Sequence, residues 1–262
     1  MPPHRNAGKG LPAYEFLMVR NDDDAGKNMK RRTFFHYCAA AAALGAPPLH
    51  AATDLKPRHY ARVPLVDEAG RPVRTGSLRR GENYIFHYPF EGTPCFLLDL
   101  GKPTVRKVAL KTEGGSGYLW PGGVGPNRSI VGYSAICTHR MTYPTRQISF
   151  ISYRDQSTAT KISRPHAIHC CSEHSEYDPA SGARVLGGPA PQPLCAILLE
   201  HDRAADTLYA FGTLGAEIFQ AFFAKFEFKL ALDYGAGEAR RPVAGRAVVT
   251  RLSSFCKQQV RC

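Results

Sequence analysis

Two short segments of the 262-residue chain combine soft metal ligands. The first is Cys137-Thr138-His139, within Tyr-Ser-Ala-Ile-Cys-Thr-His, and the second is Cys171-Ser172-Glu173-His174, followed by Ser175, Tyr177 and Asp178. Each offers one thiolate and one imidazole from a tight turn, so two loops meeting at their tips would make a Cys2His2 site. A zinc finger usually takes both cysteines from one segment and both histidines from the other. One of each per segment fits an asymmetric [2Fe–2S] cluster, with one iron on two thiolates and the other on two imidazoles. A structural zinc site, or free thiols beside unrelated histidines, is the competing reading of the same residues. Cys-x-His alone arises often by chance, and the second motif about thirty residues on is what gives it weight.

The elements that would position these loops are strands. Short apolar or alternating runs are expected to be strands at Tyr84–Tyr88, Cys95–Leu100, Val105–Leu110, Ile130–Tyr133 and Ile148–Tyr153. Ala167–Cys170, Ala183–Leu186, Cys195–Leu199 and Thr207–Ala210 follow the same pattern. Many short strands at close spacing predict a sandwich or barrel. Gly122-Gly123-Val124-Gly125-Pro126 and Gly187-Gly188-Pro189-Ala190-Pro191 carry turn chemistry. One helix is expected from Leu214 to Phe228, where Ile218, Phe219, Phe222, Phe223 and Phe226 recur three and four apart as a packing face. After Glu238 come six basic residues and no acidic one, which reads as a solvated, partly disordered tail, or as a docking tail for an acidic partner.

Hydrophobic residues make up 44% of the chain and charged residues 21%, which excludes disorder or collagen-like repeats for its bulk. No run of roughly 18 apolar residues offers a membrane span. Residues 29–52 read as an export signal: Lys30, Arg31 and Arg32 precede a short apolar run from Cys38 to Ala46 and small residues near Ala51 and Ala52. Arg31-Arg32-Thr33-Phe34-Phe35 resembles a twin-arginine signal, the route for proteins exported already folded around a cofactor. Translation starting at Met29, or a disordered leader before it, accounts for residues 1–28. The net charge of +12 falls to +9 without residues 1–52, so the excess belongs to the mature chain too. Export makes nucleic acid an improbable partner despite that charge.

The flanks of the two motifs resemble the Rieske iron–sulfur proteins, with Cys-Thr-His as one cluster loop and Cys-Ser-Glu-His-Ser-Glu-Tyr-Asp as the other. Gly188-Pro189-Ala190-Pro191 is similar to the proline loop of respiratory members. His87-Tyr88-Pro89, Thr93-Pro94-Cys95, the Gly122–Pro126 turn and Ile130-Val131-Gly132-Tyr133-Ser134 resemble arsenite oxidase small subunits. The resemblance spans roughly residues 84–215. It implies an all-β fold, an antiparallel β-sandwich with an inserted cluster-binding subdomain, followed here by a C-terminal helix. The domains expected are a leader and signal at 1–52, a [2Fe–2S] domain at 53–215, and a helix with basic tail at 216–262.

The resemblance also implies the ligand set Cys137, His139, Cys171 and His174, one cluster per chain. Ser175 and Tyr177 would donate hydrogen bonds to it, and Gly188, Pro189, Ala190 and Pro191 would cover it. An ungapped alignment of Ser175, Tyr177 and Asp178 would instead place Cys170 at the ligand cysteine and Glu173 at the ligand histidine. Glutamate is a hard ligand that suits the cluster poorly. A one-residue deletion after His174 restores the Cys-x-x-His spacing and leaves Cys170 a neighbour. Thr142 and Glu173 stand where the family's loop-to-loop disulfide would fall, so that staple is expected to be missing. The 31 residues between His139 and Cys171 predict an inserted hairpin that includes Ile148–Tyr153.

The function this implies is periplasmic electron transfer as a subunit or partner of a larger oxidoreductase, rather than catalysis alone. The partner would be a cytochrome, a molybdenum subunit or quinol, with membrane contact but no spanning helix. His139 and His174 would be the ligands that titrate on oxidation. The alternative is an exported structural zinc protein or a cluster-less module of the same fold. Cys95 and Cys195 are expected as buried thiols, Cys256 and Cys262 as a conceivable pair, and His166, His169 and His201 as ordinary histidines.

Overall fold

A computed structural model describes residues 54–156, 158–159 and 164–262; the export signal, leader and start codon expected from the sequence lie outside the described residues. Sixteen strands are described among these residues, and the all-β expectation holds. The larger sheet runs in the order β14-β1-β13-β12-β6-β3-β2-β15. Its members are β1 Arg58–Val66, β2 Tyr84–His87, β3 Pro94–Asp99, β6 Ile130–Ser134, β12 Ala196–Asp202, β13 Thr207–Leu214, β14 Ala247–Val248 and β15 Thr250–Arg251. Its two edge strands are consecutive in the chain. Ala247 and Val248 pair in parallel with Leu65 and Val66, while Thr250 and Arg251 pair with Ile85 and Tyr84. Val249 bridges them, its N–H donating to Val66 O at 2.7 Å. One segment therefore closes the sheet on itself and leaves neither edge open, the usual hazard of a long sheet.

The alternation of side chains explains why β2 and β3 read as continuous apolar runs. Cys95 and Leu97 of β3 join Tyr84 and Phe86 of β2 in the core inside the closed sheet. Phe96, Leu98 and Ile85 point the other way, into a second core. Strands buried on both faces lose the polar alternation that marks a half-exposed strand.

The second core lies against an insertion between β6 and β12. There β8 (Ile151–Arg154), β9 (Ala167–Cys170), β10 (Ser175–Asp178) and β11 (Arg184–Gly187) form an antiparallel sheet in the order β11-β10-β9-β8. Two smaller pairs complete the strands: β4 Val108–Lys111 with β5 Gly117–Trp120, and β7 Ile148–Ser149 with β16 Gln258–Gln259. The inserted subdomain is as expected, but Ile148–Tyr153 is not a hairpin of its own. It breaks at Phe150, and β7 pairs in parallel with β16 while β8 pairs with β9.

The segment after Gly215 departs furthest from expectation. The helix does not begin at Leu214, because that residue ends β13 opposite Ala196 and Gly215 at φ +104° turns the chain away. Two short helices follow, α1 Phe219–Lys225 and α2 Glu227–Tyr234, separated at Phe226. A third, α3, spans Leu252–Phe255. The basic tail is ordered structure: Val243, Ala247, Val249, Leu252 and Phe255 are buried among its cations. In β14 the pattern alternates, with Ala247 inside and Val248 43% exposed. A charge count alone hides that period of two.

Candidate metal centre

The first candidate loop leaves β6 and runs through Cys137, Thr138 and His139. Cys137 is buried, and its backbone closes the turn in both directions: Cys137 N–H donates to Thr142 O and Met141 N–H to Cys137 O, each at 2.9 Å. The Thr138 hydroxyl donates to Gln192 O at 2.8 Å, which ties this loop to the chain just beyond the proline turn.

The second loop is the β9–β10 turn. Its register sets Ser175 opposite Cys170 and Tyr177 opposite Ile168, leaving residues 171–174 as the turn. Directly opposed residues share a face, so Cys170, Ser175 and Tyr177 all face the first loop. His169 and Glu176 share the other face, where the His169 Nδ1–Glu176 Oε1 separation is 3.4 Å.

The cysteine that meets Cys137 is Cys170. The two buried thiols share one core cluster, and hydrogen bonding from the Cys170 thiol is the largest influence lowering Cys137, against the cost of burial. The Tyr177 hydroxyl, 3.2 Å from Cys137 Sγ, and the His139 N–H act in the same direction. The same bond, followed by burial, pushes Cys170 up. Burial, then the Cys137 charge, raises Tyr177. Donors from three directions thus converge on one sulfur.

Cys171 is corrected as the ligand thiol, because it forms a disulfide with Cys262. Its N–H donates to Phe150 O at 2.7 Å, and the buried Arg154 donates from Nη2 to Cys171 Sγ (3.4 Å) and Val260 O (2.8 Å). Burial, with the Arg261 charge, lowers the Arg154 pKa. Cys262 therefore does not pair with Cys256, which stays a buried thiol with Cys95 and Cys195. The disulfide therefore ties the second loop to Cys262.

His174 is exposed and adopts φ +56°. Glu173 is partly buried and pairs through Oε1 with Arg140 Nε at 3.5 Å, beside His139. In the proline turn Gly188 sits at φ +81°, and a Cβ there would stand 2.2 Å from His174 O. Only glycine permits that approach and that conformation. Gly188, Pro189 and Pro191 are exposed and Ala190 is buried. Elsewhere, His169 Nε2 lies 2.7 Å from Arg164 O and His201 pairs with Asp206 at 2.9 Å, the roles of ordinary histidines.

Several groups at the loop junction are unspent. His139 Nδ1 and Ser175 Oγ are buried and have no hydrogen-bond partner among the described residues. Orphaned buried polar atoms are uncommon and cost stability unless something satisfies them. Two buried free thiols of one core cluster, an unpartnered imidazole nitrogen and an unpartnered hydroxyl fit three ligands and one donor of an asymmetric cluster. The fourth ligand does not fit in the same way. Among the described residues, no group of three or more His, Cys, Asp or Glu side chains is gathered closely enough to hold a metal ion.

No protein-family model matches the chain. Among solved structures, the chain is similar to the soluble domain of the Rieske protein II from Sulfolobus acidocaldarius. The two share 26% identity over 59% of this chain and 78% of that one, with a TM-score of 0.40.

Proposed function

We propose that this protein is a Rieske-type electron-transfer protein. The observation that carries the reading is the convergence of the buried Cys137 and Cys170, from two separate loops, in one core cluster beside the unpartnered Nδ1 of His139. Cys137, Cys170 and His139 would hold a [2Fe–2S] cluster, with the remaining donor drawn from the 171–174 turn. When bound, the cluster supplies a one-electron couple whose potential is raised wherever neutral imidazole replaces thiolate. The Tyr177 hydroxyl accepts from the Thr138 N–H at 3.3 Å, which leaves its own proton for Cys137 Sγ at 3.2 Å. Such a donor stabilises added negative charge on sulfur. Ser175 carries a second hydroxyl toward the same place.

The reading extends to an exported protein that passes electrons to or from a larger oxidoreductase, arsenite-oxidase-like or quinol-oxidising, with a cytochrome, molybdenum subunit or quinol as its partner. Among the described residues no helix is long and apolar enough to cross a membrane.

The test is the EPR spectrum of the anaerobically reduced protein, with iron, sulfide and zinc measured on the same sample. Two irons per chain and a rhombic signal averaging below g = 2 are expected, and Tyr177→Phe should lower the potential while keeping the iron. A silent sample with one zinc or no metal would favour the second reading, a structural zinc protein or cluster-less module. The disulfide that removes Cys171 and the incomplete donor set speak for that alternative.

A further inference from the structure

We infer that a cavity beyond the first loop binds a small aromatic carboxylate, with Arg146 and the Tyr143 hydroxyl as its polar contacts. The cavity measures about 270 Å³, and none of the candidate cluster ligands lines it. It lies where several elements end together. His87 closes β2, Tyr234 closes α2 and Phe255 closes α3, while Tyr143 and Arg146 sit on the chain running from the first loop to β7. Pockets for drug-sized ligands begin near about 300 Å³, so an occupant here is smaller than that. The walls are largely aromatic. The His87 ring stands edge-on to Tyr234, with centroids 6.1 Å apart, and tilted against Phe255 at 5.8 Å. Such walls suit a flat ring and leave a hydrated inorganic ion poorly matched.

Two polar groups of the lining are unspent. Tyr143 Oη is buried and has no hydrogen-bond partner among the described residues, a state that costs stability unless something satisfies it. Its ring is wedged edge-on against Phe222 and Phe226, which fixes where the hydroxyl lies. The Arg146 guanidinium lies 4.5 Å over the Phe255 ring and has no acidic partner among the described residues. The carboxylates of the lining are already engaged: Asp233 pairs with Lys229 at 2.9 Å and Glu91 with Arg241 at 3.9 Å. His87 Nε2 is spent on Tyr234 Oη at 3.1 Å. Burial, followed by the Arg146 charge, lowers His87 to about 4, so that ring adds no second cation at neutral pH. The unspent charge is therefore the guanidinium, and its complement is an anion. A guanidinium offers donors only, a phenol can donate, and a carboxylate has two oxygens that only accept. A carboxylate on an aromatic ring answers both donors and the aromatic walls.

The experiment is calorimetric titration of the full chain with benzoate, benzamide and inorganic phosphate, with thermal melts of every variant to establish folding. Benzoate should bind saturably at one site per chain. Benzamide keeps the ring without the charge and should bind at least about tenfold more weakly. Phosphate carries charge without a ring and should not saturate. Arg146→Gln alters an exposed side chain and should bring benzoate down to the benzamide level. Tyr143→Phe should weaken benzoate by about tenfold while the melt stays level or rises, because the deleted hydroxyl has no partner in the fold. A tyrosine with only a structural role would give a lower melt and unchanged binding, which would overturn its part in the site. Benzoate binding that is equal in wild type and both variants would overturn the inference by placing the site elsewhere. Phosphate binding as tightly as benzoate, or no benzoate binding to wild type, would overturn it as well.

Discussion

The two candidate ligand loops are fastened by different means. The first, Cys137 to Thr142, is held without a covalent bond. Tyr143 just beyond it packs edge-on against Phe222 at 4.8 Å and Phe226 at 5.0 Å, and Lys225 Nζ donates to Arg140 O at 2.7 Å. The second, residues 171–174, is held by the Cys171–Cys262 disulfide, with β16 alongside β7 and Arg154 beneath. Both fastenings come from the segment after Gly215, which lies outside the stretch that resembles a known family. A side chain can point at a ligand site only if its loop is held, and here one stretch of chain holds both loops, by aromatic packing at one and a cross-link at the other. The difference also shows which loop has freedom to vary. The first keeps a legible Cys-x-His, whereas the second, tied at Cys171, presents an unfamiliar order of residues.

Three changes would break or sharpen that contrast. The largest effect is expected from Phe222→Ala, which removes a fully buried ring in contact with Tyr143, Phe223 and Phe226. Truncating such a residue costs about 3–5 kcal/mol, measurable by urea titration, and hydrogen exchange should rise at residues 137–143 before residues 171–174. A loss under about 1 kcal/mol would mean that the aromatic cluster does not hold the first loop.

Next comes Cys262→Ser. The disulfide spans 91 residues, and removing a cross-link of that kind typically costs about 2–4 kcal/mol. Exchange should rise at the second loop and β16 with the first loop little changed, and dithiothreitol should destabilise wild type but not the variant. Equal loosening of both loops would show that the two fastenings are one cooperative unit.

The smallest effect concerns pH. Packing around its ring, followed by the Arg146 charge, lowers His87 to about 4, and Tyr234 Oη lies 3.1 Å from its Nε2. A histidine with a lowered folded pKa stays neutral in the fold while the unfolded chain takes up a proton below about pH 6.5. The unfolded state binds more protons between those values, so stability falls as pH drops from about 6.5 toward 4. His87→Gln should flatten that slope in urea midpoints measured across the range, and an unchanged slope would remove His87 as its source.

The strand runs at Tyr84, Cys95, Ile130, Ala167 and Thr207 were legible because their apolar patterns need only local alternation to be read. β1 escaped notice because Pro64 and its basic residues disguise it, and β10 because Ser175, Glu176 and Asp178 look like a loop. β10 is a strand because it sits between β9 and β11, where partners on both sides satisfy its backbone. The helical stripe was visible as a packing face, but Gly215, Leu214 in β13 and the break at Phe226 set its true limits.

By itself the sequence determined the all-β class and the position of most strands. Those depend on alternation and turn residues, which are local properties. Which of two adjacent cysteines faces Cys137, where Cys262 goes and how the sheet closes through Val249 were decided only by tertiary structure. Adjacent residues on a strand point to opposite faces, so a one-residue uncertainty in register exchanges one thiol for the next. The register of β9 was fixed by β8 and β10 on either side, and no pattern within residues 170–174 carries that information.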